Sequence, residues 1–219
     1  MSESRTIAVL GGTGNLGGGL VYRWAKAGVP IIIGSREAAK AEQAASDIVK
    51  RVPGANVTGM DNYSAAKTAD IVTLSVPFGN QQATLETIKD VVQGKLFIDT
   101  TVCLQPPKVG TVQLPPEGSA GQITQQVLGE GVDVVSAFQN IAAAHLDSDH
   151  DIHCDVLVCG NNKEAREQVI ELAKLIGLRA WHAGPIQNAA AIEGMTSVLI
   201  SINRAYKLPG AGIVVSAEQ

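Results

Sequence analysis

The sequence is poor in cysteine and has no long apolar segment. Its three cysteines (Cys103, Cys154 and Cys159) are odd in number and form no CxxC pair, which argues against a disulfide framework or a zinc knuckle. No apolar run approaches the ~18 residues of a membrane-spanning helix. Strand-forming residues begin at residue 7 and leave no room for a signal peptide. These absences predict a cytoplasmic protein with no membrane partner.

An excess of positive charge is also missing. With 17 Lys and Arg against 21 Asp and Glu, the formal charge is −4, which argues against a nucleic-acid partner. An anionic ligand would therefore be held by local groups. The 219 residues suffice for one α/β domain. We expect one main domain over residues 1–184. Residues 185–219 would form a C-terminal helix and tail that pack on this domain and at a dimer interface.

A glycine-rich turn directly follows the first apolar run, Ile7–Leu10, and leads into a helical pattern. Its GxGxxG spacing spans residues 12–17 (GTGNLG). In such βα units the first glycine makes the tight turn, the second admits a pyrophosphate, and the third lets the helix pack closely on the strand. Free N–H groups of the new helix then face the phosphates. The residues predicted to bind the dinucleotide here are Gly12, Thr13, Gly14, Asn15 and Leu16.

The end of the next predicted strand, residues 31–33, indicates NADP rather than NAD. An NAD site carries an acid about 20 residues beyond the glycines for the ribose 2′-hydroxyl, but no acid precedes Glu37. Ser35 and Arg36 stand there instead, and a guanidinium can grip a 2′-phosphate with two hydrogen bonds. Lys40, four residues after Arg36, is expected on the same face of the following helix.

Strands and helices alternate along the rest of the chain. Near-continuous apolar strands of this kind belong to parallel sheets covered on both faces. The predicted fold is therefore a doubly wound, mostly parallel α/β sheet of the Rossmann type with a C-terminal helical extension. Strands are predicted at 7–10, 31–33, 56–60, 70–76, 95–99, 133–138, 155–159 and 179–183, and helices at 16–27, 79–92, 119–128, 163–176 and 186–204.

Ligands of such sheets bind at the carboxyl ends of the strands. Val76 and Phe78, on either side of Pro77, could cover the nicotinamide or the adenosine, or Pro77 could merely end a strand. Gln139 and Asn140 follow the strand at 133–138 and offer neutral donors and acceptors. The alanines at 142–144 either admit a flat ring against the backbone or simply begin a helix.

Other chemical signals are weaker. The YxxxK spacing at 63–67 comes too early for a short-chain dehydrogenase. The His- and Asp-rich loop 145–155 fits no standard zinc spacing, so no metal is expected. No Ser/His/Asp or Cys/His arrangement supports hydrolysis, and no proton donor stands at a strand end. Hydride transfer between two flat heterocycles needs mainly alignment, which favours a second redox cofactor over a carbonyl substrate.

Several segments resemble the NADPH-dependent reductases of the deazaflavin coenzyme F420. They are residues 9–17 (VLGGTGNLG), 33–36 (IGSR), 58–60, 135–137, 158–160, 177–179, 183–185 and 210–213. The resemblance implies a homodimeric Rossmann enzyme that transfers hydride between nicotinamide C4 and deazaflavin C5. Residues 1–184 would then form the Rossmann NADP-binding domain with the second-cofactor pocket. The resemblance places the NADP contacts on residues 13–16, Ser35, Arg36, Lys40, Phe78, Val102 and Ala143.

The chain departs from this family at two positions where the second cofactor would stack. Gln139 stands where some relatives have histidine, and Phe78 where relatives have tryptophan. Two alternatives to the F420 reductase are a non-catalytic NADP(H)-binding redox sensor and a flavin-dependent metal-ion reductase module. Sensors of this kind usually carry a longer C-terminal partner-binding region, and the single long helix and small-residue tail favour the enzyme.

Overall fold

A computed structural model describes residues 5–216 and contains an eight-stranded sheet flanked by helices. The strands are β1 (Ile7–Leu10), β2 (Ile31–Ser35), β3 (Val57–Asp61), β4 (Ile71–Leu74), β5 (Leu96–Asp99), β6 (Asp133–Ser136), β7 (Asp155–Gly160) and β8 (Arg179–His182). The helices are α1 (Asn15–Lys26), α2 (Ala38–Arg51), α3 (Asn62–Thr68), α4 (Phe78–Ile88), α5 (Ala120–Leu128), α6 (Ala143–Leu146), α7 (Lys163–Leu175) and α8 (Ala189–Tyr206).

The strand order is β3-β2-β1-β4-β5-β6-β7-β8. β1 pairs in parallel with both β2 and β4. The chain therefore moves outward from β1 to β3 and then restarts on the other side of β1, which makes the β1/β4 boundary a topological switch point. The predicted doubly wound, mostly parallel sheet is confirmed.

Both faces of the sheet are buried, as the apolar strands predicted. In β1, Ile7 and Val9 belong to one hydrophobic cluster and Ala8 and Leu10 to another. Successive side chains of a strand point to opposite faces, so each cluster lies on its own face. Helix α1 covers the first face through residues such as Trp24, and α3 and α4 cover the second.

The direction of β7 is the main departure from the predicted pattern. β7 pairs antiparallel with β6, and β8 then runs parallel to β7. The carboxyl ends of these last two strands therefore lie at the opposite edge from those of β1–β6. Predicted strands also end early: β6 stops at Ser136 because Phe138 adopts a positive φ of 72°, which leaves the extended backbone.

Three further elements differ from the sequence-based boundaries. Residues 62–68 form α3, which was not predicted, and the Asp61 side chain caps it by accepting a hydrogen bond from Ser64 N at 2.9 Å. The last helix begins at Ala189, after a 3₁₀ turn at Ile186–Asn188.

None of the described helices is long and apolar enough to cross a membrane.

The C-terminal tail packs against its own chain. Asp155 N donates to Ile213 O at 2.7 Å, and Val215 N donates to the Asp155 carboxylate at 2.7 Å. The same carboxylate forms a two-point ion pair with Arg179, at 2.7 and 2.8 Å. The tail, which was predicted to pack on the domain and at a dimer interface, thus contacts β7 of its own chain.

Candidate functional site

The loop from β1 to α1 turns at Gly11. Its φ is +81°, and a Cβ there would lie 2.2 Å from Ser75 O, so only glycine fits. The tight-turn role that the motif assigned to Gly12 therefore falls one residue earlier. Gly12 is buried beside β1, and a Cβ would lie 2.9 Å from Val9 O.

Gly17 allows the close packing expected of the third glycine. A Cβ at this position would lie 2.6 Å from Gly11 O, so any larger residue would push α1 away from the turn. The spacing of the motif therefore has a steric basis at both ends. It sets the start of α1 directly against the end of β1.

The N-terminus of α1 is open to a ligand. Its N-cap residue is Gly14, no side chain caps it, and its first turn contains no acid. Thr13, Gly14 and Asn15 are exposed, and Leu16 is half-buried. The first N–H groups of a helix lack intrahelical partners and carry partial positive charge, so they favour an anion. The geometry fits a pyrophosphate.

Positive charge stands at the end of β2. Arg36 is exposed and forms no ion pair with any other described residue. The buried Ser35 hydroxyl accepts a hydrogen bond from Glu37 N at 3.3 Å. Because α2 begins only at Ala38, Arg36 precedes the helix, and the expectation that it shares a helical face with Lys40 is wrong. Lys40 Nζ instead lies 2.6 Å from Glu37 Oε1.

Next to Arg36 lies a cavity of about 310 Å³. Its lining residues are Ser35, Arg36, Asp61, Asn62, Tyr63, Asn80, Ala83, Thr84 and Thr87. Asn62 Oδ1 is buried and has no hydrogen-bond partner within residues 5–216, which suits a ligand N–H or O–H group. Hydrogen bonds from Ser64 lower the pKa of Asp61. Sequence reasoning missed Asn62 and Asn80, although the strand-end rule applied to β3 indicates Asn62.

The Gln139 side chain is held with its oxygen unpaired. Its Nε2 donates to Asp99 O at 2.9 Å and to Ser136 Oγ at 2.8 Å. Since a backbone carbonyl can only accept, the orientation of the amide is fixed. Gln139 Oε1 is buried without a described partner, and leaving such an acceptor unpaired costs about 1–3 kcal/mol. Gln139 therefore offers a ligand an acceptor only.

Asn140 is arranged in the same way. Its Nδ2 donates to Ile192 O at 3.0 Å and to Thr196 Oγ1 at 3.1 Å, while Oδ1 is buried without a partner among the described residues. Both amides were predicted to supply donors and acceptors. In the structure both side-chain NH₂ groups donate to other groups of the protein. Only the two amide oxygens, Gln139 Oε1 and Asn140 Oδ1, have no partner among the described residues.

The remaining predicted contacts lie at the same edge of the sheet. Val76 and Phe78 follow β4, Val102 follows β5 and Ala143 begins α6 after β6; all four are half-buried. Since β1 to β6 run parallel, their carboxyl ends meet at one edge, and the structure brings these residues to the edge that carries the glycine turn. A half-buried apolar residue can cover a ring without closing the site.

A second cavity, of about 250 Å³, lies beside α6. Its walls come from Ala142, His145, residues 150–154 and residues 210–212. His145 Nε2 donates to Gly210 O at 3.0 Å. A Cβ on Gly210 would lie 2.5 Å from Ala142 Cβ, and one on Gly212 would lie 2.4 Å from Cys154 Cβ. Within residues 5–216 no three His, Cys, Asp or Glu side chains form a group that could hold a metal ion.

The comparisons with known proteins agree with this geometry. Residues 6–103 match the family described as NADP oxidoreductase coenzyme F420-dependent. The F420-dependent NADP reductase of Methanocaldococcus jannaschii is 42% identical over 96% of this chain and 97% of its own. The F420-dependent NADP reductase of Methanothermobacter thermautotrophicus is 41% identical over 96% of this chain and 94% of its own.

The fold has a matching solved structure. A crystallised protein of Arthrobacter sp. FB24, provisionally described as an F420-dependent NADP reductase, superposes with a TM-score of 0.80 at 22% identity, over 96% of this chain and 99% of that one. At this identity the match supports the fold alone. The near-full-length sequence matches decide the family: the chain belongs to the coenzyme F420-dependent NADP oxidoreductases.

Proposed function

We propose that this protein transfers hydride between NADP(H) and the deazaflavin coenzyme F420. The observation that carries the proposal is the near-full-length similarity to relatives that are F420-dependent NADP reductases. The geometry that supports it is the uncapped N-terminus of α1 and the exposed Arg36, both at the carboxyl edge of β1–β6.

In this proposal the residues bind and align, and the two cofactors supply the redox chemistry. The glycine turn and the start of α1, from Gly12 to Leu16, hold the pyrophosphate. Ser35, Arg36 and Lys40 hold the 2′-phosphate, for which Lys40 exchanges its pairing with Glu37. The residues assigned to the two rings are Val76, Phe78, Val102, Gln139, Asn140 and Ala143. Alignment of two reactants in contact is itself a large part of a rate enhancement.

The proposal is tested by mixing the purified protein with NADPH and oxidised F420. We expect the visible absorption band of F420 to disappear, because hydride transfer to the deazaflavin ring removes its conjugation. Replacing F420 by FMN is the control for a general flavin reductase. If the band persists at every pH while NADPH still binds, the protein is a sensor and the proposal fails.

We further propose that the protein is a homodimer formed through α8, with residues 185–219 as the C-terminal unit. Met195, Val198, Ile202 and Tyr206 recur every three to four residues on α8 and are 36–74% exposed, which leaves an apolar stripe on one helical face. Val112 and Leu114 are also exposed, and Val112 lies against Gly194 of α8. An apolar patch of this size favours a second copy of the chain.

We expect light scattering at micromolar concentration to give twice the chain mass. Met195→Glu combined with Val198→Glu should give monomers, because two carboxylates would be buried without partners. Leu175→Glu is the matched control, since Leu175 is 56% exposed on α7, outside the stripe. A wild-type protein that is monomeric would refute the dimer.

We also propose that the protein works in the cytoplasm. Its three cysteines are all free and buried rather than joined in disulfides, which suits a reducing compartment.

A further inference from the structure

A buried carboxylate on α8 contacts the loop that follows β5. Glu193 is 1% exposed. Its carboxylate accepts hydrogen bonds from Ala120 N at 2.8 Å, from Gly121 N at 3.0 Å and from the Cys103 thiol at 3.2 Å. Glu193 therefore joins three segments: α8, the start of α5, and the β5 loop that carries Val102.

The carboxylate completes the cap of α5. Ser119 is the N-cap residue, and its Oγ accepts from Gln122 N at 3.1 Å. Glu193 takes the N–H groups of the first two helical residues, which the Ser119 side chain leaves unpaired. A negative charge is favoured at a helix N-terminus. Burial opposes that charge and raises the pKa of Glu193 to about 7, with Asp99 as the nearest repelling carboxyl.

The other titratable groups that interact with Glu193 are Asp99, Cys103 and Cys159. Burial raises the pKa of Cys103 and raises that of Cys159, on β7, to about 11. Both thiols therefore stay neutral across the physiological pH range. Asp99, at the end of β5, accepts hydrogen bonds from Gln81, Thr101 N and Thr124. Burial also raises the pKa of Asp99, so the ionisation of Glu193 depends on the charge of this neighbouring carboxyl.

The same turn of α8 also holds the loop that follows β6. Ile192 O and Thr196 Oγ1 both accept from Asn140 Nδ2, and Thr196 Oγ1 donates to Gln139 O at 3.0 Å. One helical turn, residues 192–196, therefore fixes both loops to which the ring contacts Val102 and Gln139 are assigned. The 2′-phosphate contacts at β2 receive no such support from α8.

We propose that Glu193 is a positioning residue that sets the nicotinamide-binding loop after β5, acting through Cys103 on Val102. The proposal rests on the proposed function for the assignment of the two rings. Glu193 would govern how the nicotinamide half of NADPH is held, and would leave the grip on the adenosine 2′-phosphate unchanged. Thr196 would do the same for the loop after β6.

The test compares NADPH with 2′,5′-ADP, which carries only the adenosine half. For Glu193→Gln we expect about tenfold weaker NADPH binding and unchanged 2′,5′-ADP binding, because one amide oxygen cannot serve both helix N–H groups. Since burial raises the pKa of Glu193 to about 7, we expect the kcat profile of the wild type to show an ionisation near this pH that is lost in the variant. The matched control is Asn162→Ala, which removes the side chain that caps α7 by accepting from Glu164 N and Ala165 N.

If the affinities for NADPH and for 2′,5′-ADP fall by the same factor, the substitution disturbs the whole binding site and the proposal is overturned. An unchanged affinity for NADPH would also overturn it. If Glu193→Gln does not fold, Cys103→Ala decides, because it removes the thiol through which Glu193 acts on Val102; the same selective loss of NADPH is expected. The binding ratio needs no F420, so a protein that fails to reduce F420 would refute the proposed function and still report on Glu193.

Discussion

Replacing Arg36 by alanine should weaken NADPH binding by about 1.5–3 kcal/mol, roughly 10- to 150-fold, and leave NADH binding nearly unchanged. Arg36 is exposed at the end of β2 without an ion pair among the described residues. Its guanidinium can therefore bind a 2′-phosphate without first breaking another contact. NADH lacks that phosphate, so the substitution removes no hydrogen bond to it. Titration calorimetry with both nucleotides measures the difference.

Arg51→Ala is the matched control for this prediction. Arg51 is the last residue of α2, the helix that follows Arg36. Its guanidinium pairs with Asp147 at 2.8 Å and stacks 4.1 Å from the centre of the Tyr22 ring. Removing it changes the overall charge by the same amount, so an effect confined to Arg36 identifies a local contact. Equal losses of NADPH and NADH in Arg36→Ala would show that Arg36 does not recognise the 2′-phosphate.

Lys40 should contribute less than Arg36. Its ammonium is exposed and already paired with Glu37 at 2.6 Å, and an exposed ion pair of this kind is worth at most about 1 kcal/mol. A phosphate that recruits Lys40 must compete with that carboxylate. We therefore expect the selectivity for NADP to depend mainly on Arg36 and on the absence of an acid before Glu37.

The nucleotide half of the site could be predicted because it is local in sequence. The glycine turn follows β1 directly, and Ser35 and Arg36 follow the end of β2, so a strand, a turn and a few polar residues suffice. The motif nevertheless assigned the tight turn to Gly12, whereas the residue with a positive φ is Gly11. The close approach of Gly11 to Ser75 determines this position, and Ser75 lies outside the motif.

The rest of the site depends on segments that are far apart in the chain. The second cavity forms only when residues 210–212 fold back onto Ala142 and Cys154, which no local pattern predicts. The antiparallel direction of β7 was missed for a similar reason, since a buried apolar strand reads the same in either direction. Glu193 did leave a signal: it is an acid between buried apolar positions of α8, close to Ile192.

The stability of the protein should fall as the pH rises from about 4.5 to 7 because of Glu193. Burial raises the pKa of this carboxyl from 4.5 to about 7. In that range the folded protein holds a proton that the unfolded chain has released, so the free energy of unfolding decreases with pH. A shift of this size corresponds to about 3 kcal/mol. The contribution is complete below pH 4.5, is lost by pH 7, and is constant above it.

Urea unfolding of the wild type and Glu193→Gln between pH 4.5 and 8 isolates this group. Titrating carboxyls that do not interact with Glu193 are common to both proteins and cancel in the difference. Asp99 interacts with Glu193, so its response to the substitution is part of that difference. We expect the free energy of unfolding of the wild type, relative to the variant, to fall by about 3 kcal/mol across the range. Glu117→Gln, which removes an exposed carboxyl, should run parallel to the wild type. A constant difference between the wild type and Glu193→Gln would mean that Glu193 titrates in the folded protein as it does in the unfolded chain.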